Sequence, residues 1–519
     1  MAEENDDADL SELLNDGWGP PPNLSDEVKA RILTLEAESR VLSALISDLG
    51  ARLSAGEIEV RKDLNPAINR QNQVSSELFN IRKEAGFRPP PQIMYGPAMA
   101  YGVREHGAKP PAPDYVRTTL AVWEMTLRCS LRCMHCGSRA GEPREHELTT
   151  AEALDLVGQL AEVGIREIAL IGGEAFLRRD WLEIAEAIHH AGMTCSVTTS
   201  GFGLSAEIAR RMKHAGIRHA SVSVDGLQPA HDYLRGRAGS FPAACAAVGY
   251  LADARLMVGA NTQINRLTAP DLPELYEVLR SRGVKAWQLQ LTVPSGNAAD
   301  HPEILLQPAE LVDVFDMLAR LAIRALQDGV AIAPGNNLGY HGPFDDLLIA
   351  AGGSYAGGEG CQAGISVLGI EADGTVKGCP SLPRAPYAGR SIRSRRLQEM
   401  LDEPGWGVLH PGHGEATRAR LWGFCRDCEF AASCQGGCTW TAQALLGRPG
   451  NNPYCHHRAL TLARAGVRER IKQVTAALGV PFDHGVFELI EEPSDAPWPE
   501  GDHRFTRDAI RWPSRDRRE

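Results

Sequence analysis

The sequence has no run of about 18 consecutive apolar residues, the length that an α-helix needs to span a membrane. It has no excess of basic residues either, because 54 Lys and Arg stand against 66 Asp and Glu and give a formal net charge of −12. An acidic chain is not expected to bind nucleic acid through its overall charge. The amino-terminal stretch MAEENDDADLSELL lacks the basic and apolar segments of a secretory signal. We therefore expect a cytoplasmic protein with neither a membrane nor a nucleic-acid partner.

The chain has 519 residues, which exceeds the size of one ordinary domain, so two or three domains are expected. Its hydrophobic fraction of 43% is typical of a globular protein that buries a sizeable core. Twelve cysteines are present. In a reducing compartment such cysteines are metal ligands or core residues more often than disulfide partners.

The first 117 residues predict an extension that precedes the main domain. Residues 1–25 are acidic, lack Lys and Arg, and are predicted to be disordered. Residues 26–86 favour a helical hairpin or coiled-coil extension, which either packs on the main body or offers a surface for self-association or for a partner. Its first helix has an a/d heptad pattern, formed by Val28, Ile32, Leu35, Ser39, Leu42, Ile46, Leu49 and Leu53. Residues 87–117 are rich in Pro and Gly and are interpreted as a linker.

Between residues 118 and 300, apolar runs alternate with amphipathic segments. The runs are predicted to be buried strands and read TTLAVWEMT, EIALIGG, MTCSVTTS, HASVSVDG, LMVGANTQI and AWQLQLTV. Repeated strand–helix units predict an α/β fold with a parallel sheet, either open or closed into a barrel. Chemistry in such barrels lies at the carboxyl ends of the strands. Cys129, Glu174, Ser200, Ser223 and Asp225 all lie at or just after predicted strand ends, which predicts a site at that edge.

Three further segments follow the alternating region. Residues 301–360 are predicted to be a mostly helical bridge. Residues 361–460 are rich in Cys and Gly and poor in long periodic elements, a composition typical of folds in which metal ligation replaces part of the core. Residues 461–519 are charged and rich in Pro and are interpreted as a peripheral tail.

The stretch CSLRCMHC carries Cys129, Cys133 and Cys136 in a C-x3-C-x2-C spacing, and no fourth cysteine follows nearby. Three thiolates on a cubane iron–sulfur cluster leave one iron without a protein ligand. On its own the motif also fits a zinc or other structural site. In its place after the first predicted strand of an α/β barrel, it resembles the radical S-adenosylmethionine (SAM) enzymes.

This resemblance implies a partial (β/α)6 TIM-like barrel over residues 118–300. It also implies that the open iron binds the amino and carboxylate groups of SAM. An electron from the cluster then cleaves SAM, and the resulting 5′-deoxyadenosyl radical abstracts a hydrogen atom from the substrate. The protein would therefore be an oxidoreductase that draws electrons from a reductant such as flavodoxin or ferredoxin.

Further motifs along the barrel support the resemblance. IGGEAF at 171–176, TTSG at 198–201, SVSVDG at 221–226 and HDYLRG at 231–236 are similar to the family's later strand ends. The resemblance implies that the backbone at Gly172 and Gly173 approaches the methionine moiety of SAM. It also implies that Glu174 accepts a hydrogen bond from the ammonium of SAM. Ser200 and Ser223 would contact ribose or carboxylate, and Arg235 would pair with an anionic group. One departure is His135, which stands where the family usually has Tyr or Phe packed on the adenine.

Seven cysteines form a second field with the spacing C-x12-G-x4-C, C-x2-C-x5-C-x3-C and a final C. This pattern resembles the SPASM extension of many radical SAM enzymes, which interleaves two auxiliary 4Fe–4S clusters. The resemblance implies one cluster on Cys361, Cys379 and Cys438, with only three thiolates. It implies a second cluster with all four thiolates, on Cys425, Cys428, Cys434 and Cys455. A zinc ribbon needs four or eight ligands, so seven cysteines fit it poorly.

Barrel and SPASM motifs together predict a radical SAM oxidoreductase with three 4Fe–4S clusters. Many SPASM enzymes modify peptides or proteins, so maturation of a ribosomally made peptide, for example by crosslinking, is the leading hypothesis. The same radical chemistry on a small-molecule biosynthetic intermediate is the alternative. A non-catalytic iron–sulfur electron carrier is a remote one, because it would not need the SAM-side motifs. The sequence identifies no catalytic acid or base.

Overall fold

The protein is described by a computed structural model. It covers residues 25–54, some positions between 63 and 81, and residues 119–335, 337–352, 360–403, 419–499 and 504–513. The predicted linker at 87–117 and nearly all of the predicted disordered segment at 1–25 lie outside these residues. Among the described residues, no helix combines the length and the apolar character that crossing a membrane requires.

Seven parallel strands follow one another in chain order across one sheet. They are β1 Leu120–Glu124, β2 Glu167–Ile171, β3 Thr194–Thr199, β4 Ile217–Ser223, β5 Met257–Ile264, β6 Ala286–Leu291 and β7 Ala331–Pro334. β1 and β4 are buried on both faces, as expected for a parallel sheet covered by helices. The predicted α/β fold with a partial, barrel-like parallel sheet is confirmed. The seventh strand lies in the segment that we expected to be mostly helical.

The sheet continues beyond β1 into the cysteine-rich segment. Strand β8 (Val367–Ile370) pairs with β1 in parallel, and β9 (Thr375–Lys377) and β10 (Ala388–Ser391) follow as antiparallel strands. The order of this ten-stranded sheet is therefore β10-β9-β8-β1-β2-β3-β4-β5-β6-β7. The segment predicted as a separate auxiliary domain thus adds strands directly beside the first barrel strand.

The first helix, α1, belongs to the amino-terminal extension, and the next six follow strands of the sheet. Their bounds are α1 Asp26–Ser54, α2 Thr150–Glu162, α3 Trp181–His190, α4 Ala206–His214, α5 Gln228–Leu234, α6 Ser240–Asp253 and α7 Leu272–Ser281. Thr149 and Glu152 form a capping box that starts α2, because each side chain accepts from the other's backbone N–H. Apolar residues of α2 such as Leu156 and Leu160 are fully buried in the main core.

The helices of the second half are mostly shorter. They are α8 Leu311–Asp328, α9 Asp345–Gly352, α10 Arg384–Tyr387, α11 Leu397–Leu401, α12 Ala431–Cys434, α13 Thr439–Leu446 and α14 His456–Arg464. Short 3-10 segments lie at Ala175–Leu177, Ala269–Asp271, Gly296–Asp300, Pro302–Ile304, Pro308–Glu310, Gly423–Arg426 and Arg507–Ala509. The long α8 presents an apolar stripe that includes Phe315 and Leu318 to the core.

The amino-terminal helix α1 packs against α8. Ile32 and Leu35 of its heptad stripe are fully buried. Every described position between 63 and 81 is helical. Arg70 of this second segment pairs with Glu38 of α1 at 2.7 Å. The described part of the extension is thus helical and lies on the main body.

A carboxy-terminal hairpin lies where we expected a peripheral tail. Strands β11 (Val467–Thr475) and β12 (Val486–Pro493) pair antiparallel. Ile471 and Phe487 join the main core, and the side-chain amide of Gln307 bonds both the N–H and the C=O of Ile471. Both strands contain many charged residues and lack a regular alternation of polar and apolar residues, so their composition did not indicate two half-buried strands.

We expect the free energy of unfolding to depend on pH because of Glu167, at the start of β2. It is buried, Ser196 Oγ donates to it at 3.0 Å, and burial raises its pKa from the ordinary 4.5 to about 7. The folded chain therefore keeps a proton that the unfolded chain releases, and stability falls as pH rises from 4.5 to 7. Glu167→Gln is expected to raise the free energy of unfolding by about 3 kcal/mol at pH 8 and by about 1 kcal/mol at pH 5.

Urea midpoints at the two pH values measure this effect. Exposed Glu186 on α3 provides the matched control, since Glu186→Gln removes a carboxylate without changing a buried group. Equal midpoint shifts at pH 5 and pH 8 for the Glu167 variant would contradict the assigned cause.

Candidate functional site

The loop after β1 brings together the three cysteines of the first motif. Backbone hydrogen bonds fold it, from Cys129 N to Gly141 O at 3.0 Å and from Met134 N to Leu234 O at 2.8 Å. Burial raises the pKa of Cys129 and of Cys133, and the nearby Cys136 adds to both rises. The loop sits at the carboxyl end of the sheet, where barrel chemistry is expected.

These thiols have surroundings that suit metal-bound thiolates. Burial raises the pKa of Cys133 to about 12, and Arg235 opposes that rise. Backbone N–H groups point at two of the sulfurs, from Leu131 to Cys129 Sγ at 3.4 Å and from Ala140 to Cys136 Sγ at 3.3 Å. A buried thiol ionises only when positive charge compensates it, and an iron–sulfur cluster accepts such N–H donors at its sulfurs. The residues present therefore fit an iron–sulfur cluster.

Gly172 and Gly173 are required by the loop after β1. A Cβ on Gly172, whose φ is +143°, would lie 2.3 Å from the carbonyl oxygen of Thr126. A Cβ on Gly173 would lie 2.3 Å from the carbonyl oxygen of Arg128. The predicted approach to a methionine moiety stays a prediction, while the structure supplies a packing reason for both glycines.

Glu174 has one carboxylate oxygen bound and one without a hydrogen bond. It is 1% exposed, and its Oε2 accepts from Ser200 N at 2.9 Å and from Ser200 Oγ at 2.6 Å. Its Oε1 is buried and has no hydrogen-bond partner among the described residues. Burial raises the pKa of this carboxyl. A ligand ammonium would satisfy Oε1 and compensate the buried charge, so this carboxylate fits the amino group of SAM.

Arg235, Asp225 and His135 form a buried charged group beside Cys133. Arg235 donates to Asp225 Oδ2, and its second guanidinium nitrogen lies 3.7 Å from Cys133 Sγ. His135 Nε2 lies 3.1 Å from the same Asp225 oxygen. Burial would raise the pKa of Asp225, but Arg235 and His135 outweigh it and hold that pKa low. Sequence reasoning assigned His135 to adenine packing and Arg235 to an anionic ligand, and missed that both contact Asp225.

The two predicted serines differ in their surroundings. Ser200 lies directly after β3 and is bound to Glu174. Ser223 ends β4, is half-buried, and stands in register with Asn261 of β5. Ser200 thus joins the group around Glu174, whereas Ser223 lies at the neighbouring strand end.

The structure gathers Cys361, Cys379 and Cys438 into one group. Burial raises the pKa of Cys379 to about 11, and Cys361 adds to the rise. Burial and Cys361 also raise the pKa of Cys438 to about 12. Tyr387 and Trp440 pack around this group, so three thiols share one largely apolar environment.

The other four thiols of the seven-cysteine field line one small cavity. They are Cys425, Cys428, Cys434 and Cys455. Backbone N–H groups point at these sulfurs, for example from Phe430 to Cys428 at 3.4 Å and from Asn452 to Cys425 at 3.5 Å. The resemblance to the SPASM extension implied the same four residues as one set, and the structure places the residues of each implied set near one another.

Within the described residues, no group of three or more His, Cys, Asp or Glu side chains could hold a metal ion directly.

Comparison with known proteins shows which proteins this chain resembles. Residues 123–295 match the Radical SAM superfamily. The AdoMet-dependent heme synthase of Nitratidesulfovibrio vulgaris is 27% identical over 362 residues, which cover 65% of this chain and 92% of that protein. The PqqA peptide cyclase of Rhizobium meliloti is 25% identical over 372 residues, which cover 70% and 93% of the two chains. The chain thus contains a radical SAM domain, as the cysteine motif and the barrel predicted.

A solved structure supports the same fold. Native anSMEcpe with bound AdoMet has a TM-score of 0.54 at 15% sequence identity and covers 66% of this chain and 95% of its own. At that identity the likeness concerns the fold alone. It agrees with the partial parallel barrel described above.

Proposed function

We propose that this protein, an enzyme built on a radical SAM domain, cleaves SAM reductively and uses the resulting radical to modify a ribosomally made peptide. The observation that carries the proposal is the buried Oε1 of Glu174, which has no partner beside a loop of three thiols. That arrangement supplies an anionic acceptor next to a cluster site with an open iron. A cytoplasmic location and reduction by flavodoxin or ferredoxin complete the proposal.

Cys129, Cys133 and Cys136 would hold the SAM-binding cluster. A reduced cluster with bound SAM supplies a 5′-deoxyadenosyl radical that removes a hydrogen atom from an unactivated carbon. Glu174 would accept the ammonium of SAM, and Ser200 orients that carboxylate through its Oγ and N–H. Arg235 donates toward Cys133 and so stabilises negative charge on that sulfur.

Seven cysteines would hold two auxiliary 4Fe–4S clusters in a SPASM arrangement. The set of Cys361, Cys379 and Cys438 has three thiolates and leaves a position for substrate, water or another ligand. The set of Cys425, Cys428, Cys434 and Cys455 has four and is limited to electron transfer. Its cavity, lined by all four thiols, supports that assignment.

Anaerobically reconstituted protein is expected to contain about twelve irons, about four for each of three clusters. The ten clustered cysteines motivate this number, and iron and sulfide analysis measures it. Cys245 lies outside the three sets, on α6, so Cys245→Ala is the matched control and should leave the iron content unchanged. A content near four irons, with zinc in the second field, would contradict the two-cluster assignment.

The similarity to PqqA peptide cyclase supports the peptide substrate. The similarity to an AdoMet-dependent heme synthase favours a second candidate, the same chemistry on a small molecule such as a tetrapyrrole. Titration with an iron porphyrin separates them. Saturable binding, seen as a shift of the porphyrin's Soret band, would favour the small molecule. A short peptide that co-purifies and loses hydrogen when the enzyme is reduced with SAM would favour the peptide.

The extension is proposed to serve association. Helix α1 buries one stripe on α8 and leaves Val41 67% and Leu45 43% exposed. Large apolar side chains exposed on one helix suit contact with a partner or a second copy. The mass of the protein in solution, measured with and without residues 1–86, tests self-association.

A further inference from the structure

Lys377 is a fully buried cation beside the first auxiliary set. It ends β9, two residues before Cys379, and its side chain is 0% exposed. Its Nζ donates to the carbonyl oxygen of Pro380 at 3.0 Å and to that of Leu382 at 2.6 Å. It also lies 2.8 Å from Oε1 of Glu371. Lys377 therefore fixes the turn that follows Cys379.

Three oxygen atoms surround this nitrogen, and each can only accept a hydrogen bond. An ammonium has three N–H donors and matches them, whereas a neutral amine has two. Burial lowers the pKa of Lys377, and the Glu371 carboxylate opposes that shift. Two carbonyl oxygens and one carboxylate oxygen thus lie around Nζ, an environment that suits an ammonium.

The tip of the carboxy-terminal hairpin covers Lys377. The ring centre of Phe482 lies 4.2 Å from Nζ, a cation–π contact. The N–H of Phe482 donates at 2.7 Å to the carbonyl oxygen of Gly137, the neighbour of Cys136. Phe482 has a φ of +58°, a conformation that a bulky residue adopts only when its surroundings impose it.

Contacts of Asp483 impose that conformation. Its carboxylate accepts from the N–H of Val480 at 3.0 Å and forms an ion pair with Arg139 at 2.9 Å. Arg139 belongs to the loop of the SAM-binding cysteines, three residues after Cys136. The hairpin tip is therefore tied to that loop and at the same time to Lys377.

Each of the other thiol sets has its own buried cation with a carboxylate partner. Arg235 pairs with Asp225 near Cys133. Arg458 pairs with Glu469 at 2.6 Å, and its own N–H donates to Cys455 Sγ. Lys377 with Glu371 completes the pattern for the first auxiliary set. Removing one cation should therefore act on one set and leave the other two as internal controls.

We propose that Lys377 is a positioning residue that raises the reduction potential of the first auxiliary cluster, and that Phe482 keeps water away from its ammonium. The proposal rests on the assignment of Cys361, Cys379 and Cys438 to that cluster. A fixed positive charge favours the state with the extra electron, and burial preserves the effect because little water screens it. The cluster is thereby made the better electron acceptor.

A redox titration followed by electron paramagnetic resonance tests the proposal on the full chain. Cys379→Ser identifies the signal of the first auxiliary cluster by its loss. In Lys377→Met, the equilibrium constant for reducing this cluster is expected to fall about tenfold, which is about 59 mV for one electron. Lys377→Arg, which keeps the charge, should stay within about threefold of the wild type. The other two clusters should not shift.

Phe482→Gly provides a second variant that does not remove the cation. Glycine tolerates the positive φ, so the hairpin tip keeps its shape while the ring is lost. Water then reaches Nζ, and the equilibrium constant is expected to fall in the same direction by about threefold. If Lys377→Met fails to assemble the cluster, the reduction potentials of Phe482→Gly and Lys377→Arg still test the proposal.

Three results would overturn the proposal. One is an unchanged potential in Lys377→Met or in Phe482→Gly, with the signal present. Another is an equal shift of all three clusters, which would indicate a general loss of structure. The third is a Lys377→Arg shift as large as that of Lys377→Met. If Cys379→Ser removed no signal, the cluster assignment would fail first and this proposal with it.

Discussion

Replacing Cys129, Cys133 and Cys136 with Ala is expected to abolish formation of 5′-deoxyadenosine from SAM. The three thiols lie on one loop at the carboxyl end of β1, and Cys136 adds to the rise that burial causes in the pKa of Cys129 and of Cys133. Without them, the iron that binds SAM has no protein ligand. The nucleoside is measured by chromatography after anaerobic reduction, and the iron content should fall by about four of about twelve.

Cys195→Ala is the matched control for this experiment. Cys195 lies in β3, is fully buried and belongs to none of the three thiol sets. Its replacement should lower stability slightly, because a small buried side chain is lost, while SAM cleavage is kept. SAM cleavage by the triple variant at the wild-type rate would refute the assignment of these three cysteines.

Much of the site at the carboxyl edge of the sheet could be predicted from the sequence because it depends on local patterns. Apolar runs of about strand length separated by amphipathic helices fix the order of β1 to β6. The strand ends then place the motif around Cys129 and the motif around Glu174 on one edge. The spacing of the seven later cysteines carried the resemblance to the SPASM extension, and that resemblance implied the two sets that the structure gathers.

The rest depends on contacts between residues distant in the chain. Nothing near Asp483 indicates that it pairs with Arg139, which is 344 positions away. Strand β11 was not recognised because charged residues such as Arg468 and Glu469 interrupt its apolar positions. Both of these charged residues are buried, and each has an ion-pair partner. Hydropathy treats charged residues as exposed even where ion pairs allow their burial, so the sequence predicted a peripheral tail instead of a hairpin.

Glu174→Gln is expected to weaken SAM binding by about tenfold to a hundredfold and to stabilise the SAM-free protein. The wild-type carboxylate keeps Oε1 buried without a hydrogen bond, and hydrogen bonds to charged groups contribute about 1.5–3 kcal/mol. The amide carries no charge and loses the ionic contact to the ligand's ammonium. Equilibrium dialysis of cluster-loaded protein measures the affinity, and the midpoint of thermal unfolding without SAM measures the stability.

The opposite directions of the two effects distinguish a ligand-binding carboxylate from a structural one. A structural carboxylate would lower both stability and affinity when replaced, whereas Glu174 bears a cost of burial that only the ligand offsets. Ser200→Ala is the matched control, because it removes the Oγ donor to Oε2 and keeps the charge. It should weaken SAM binding by about fivefold or less. SAM affinity of Glu174→Gln within twofold of the wild type would place the ammonium elsewhere and leave the unpartnered Oε1 without a ligand.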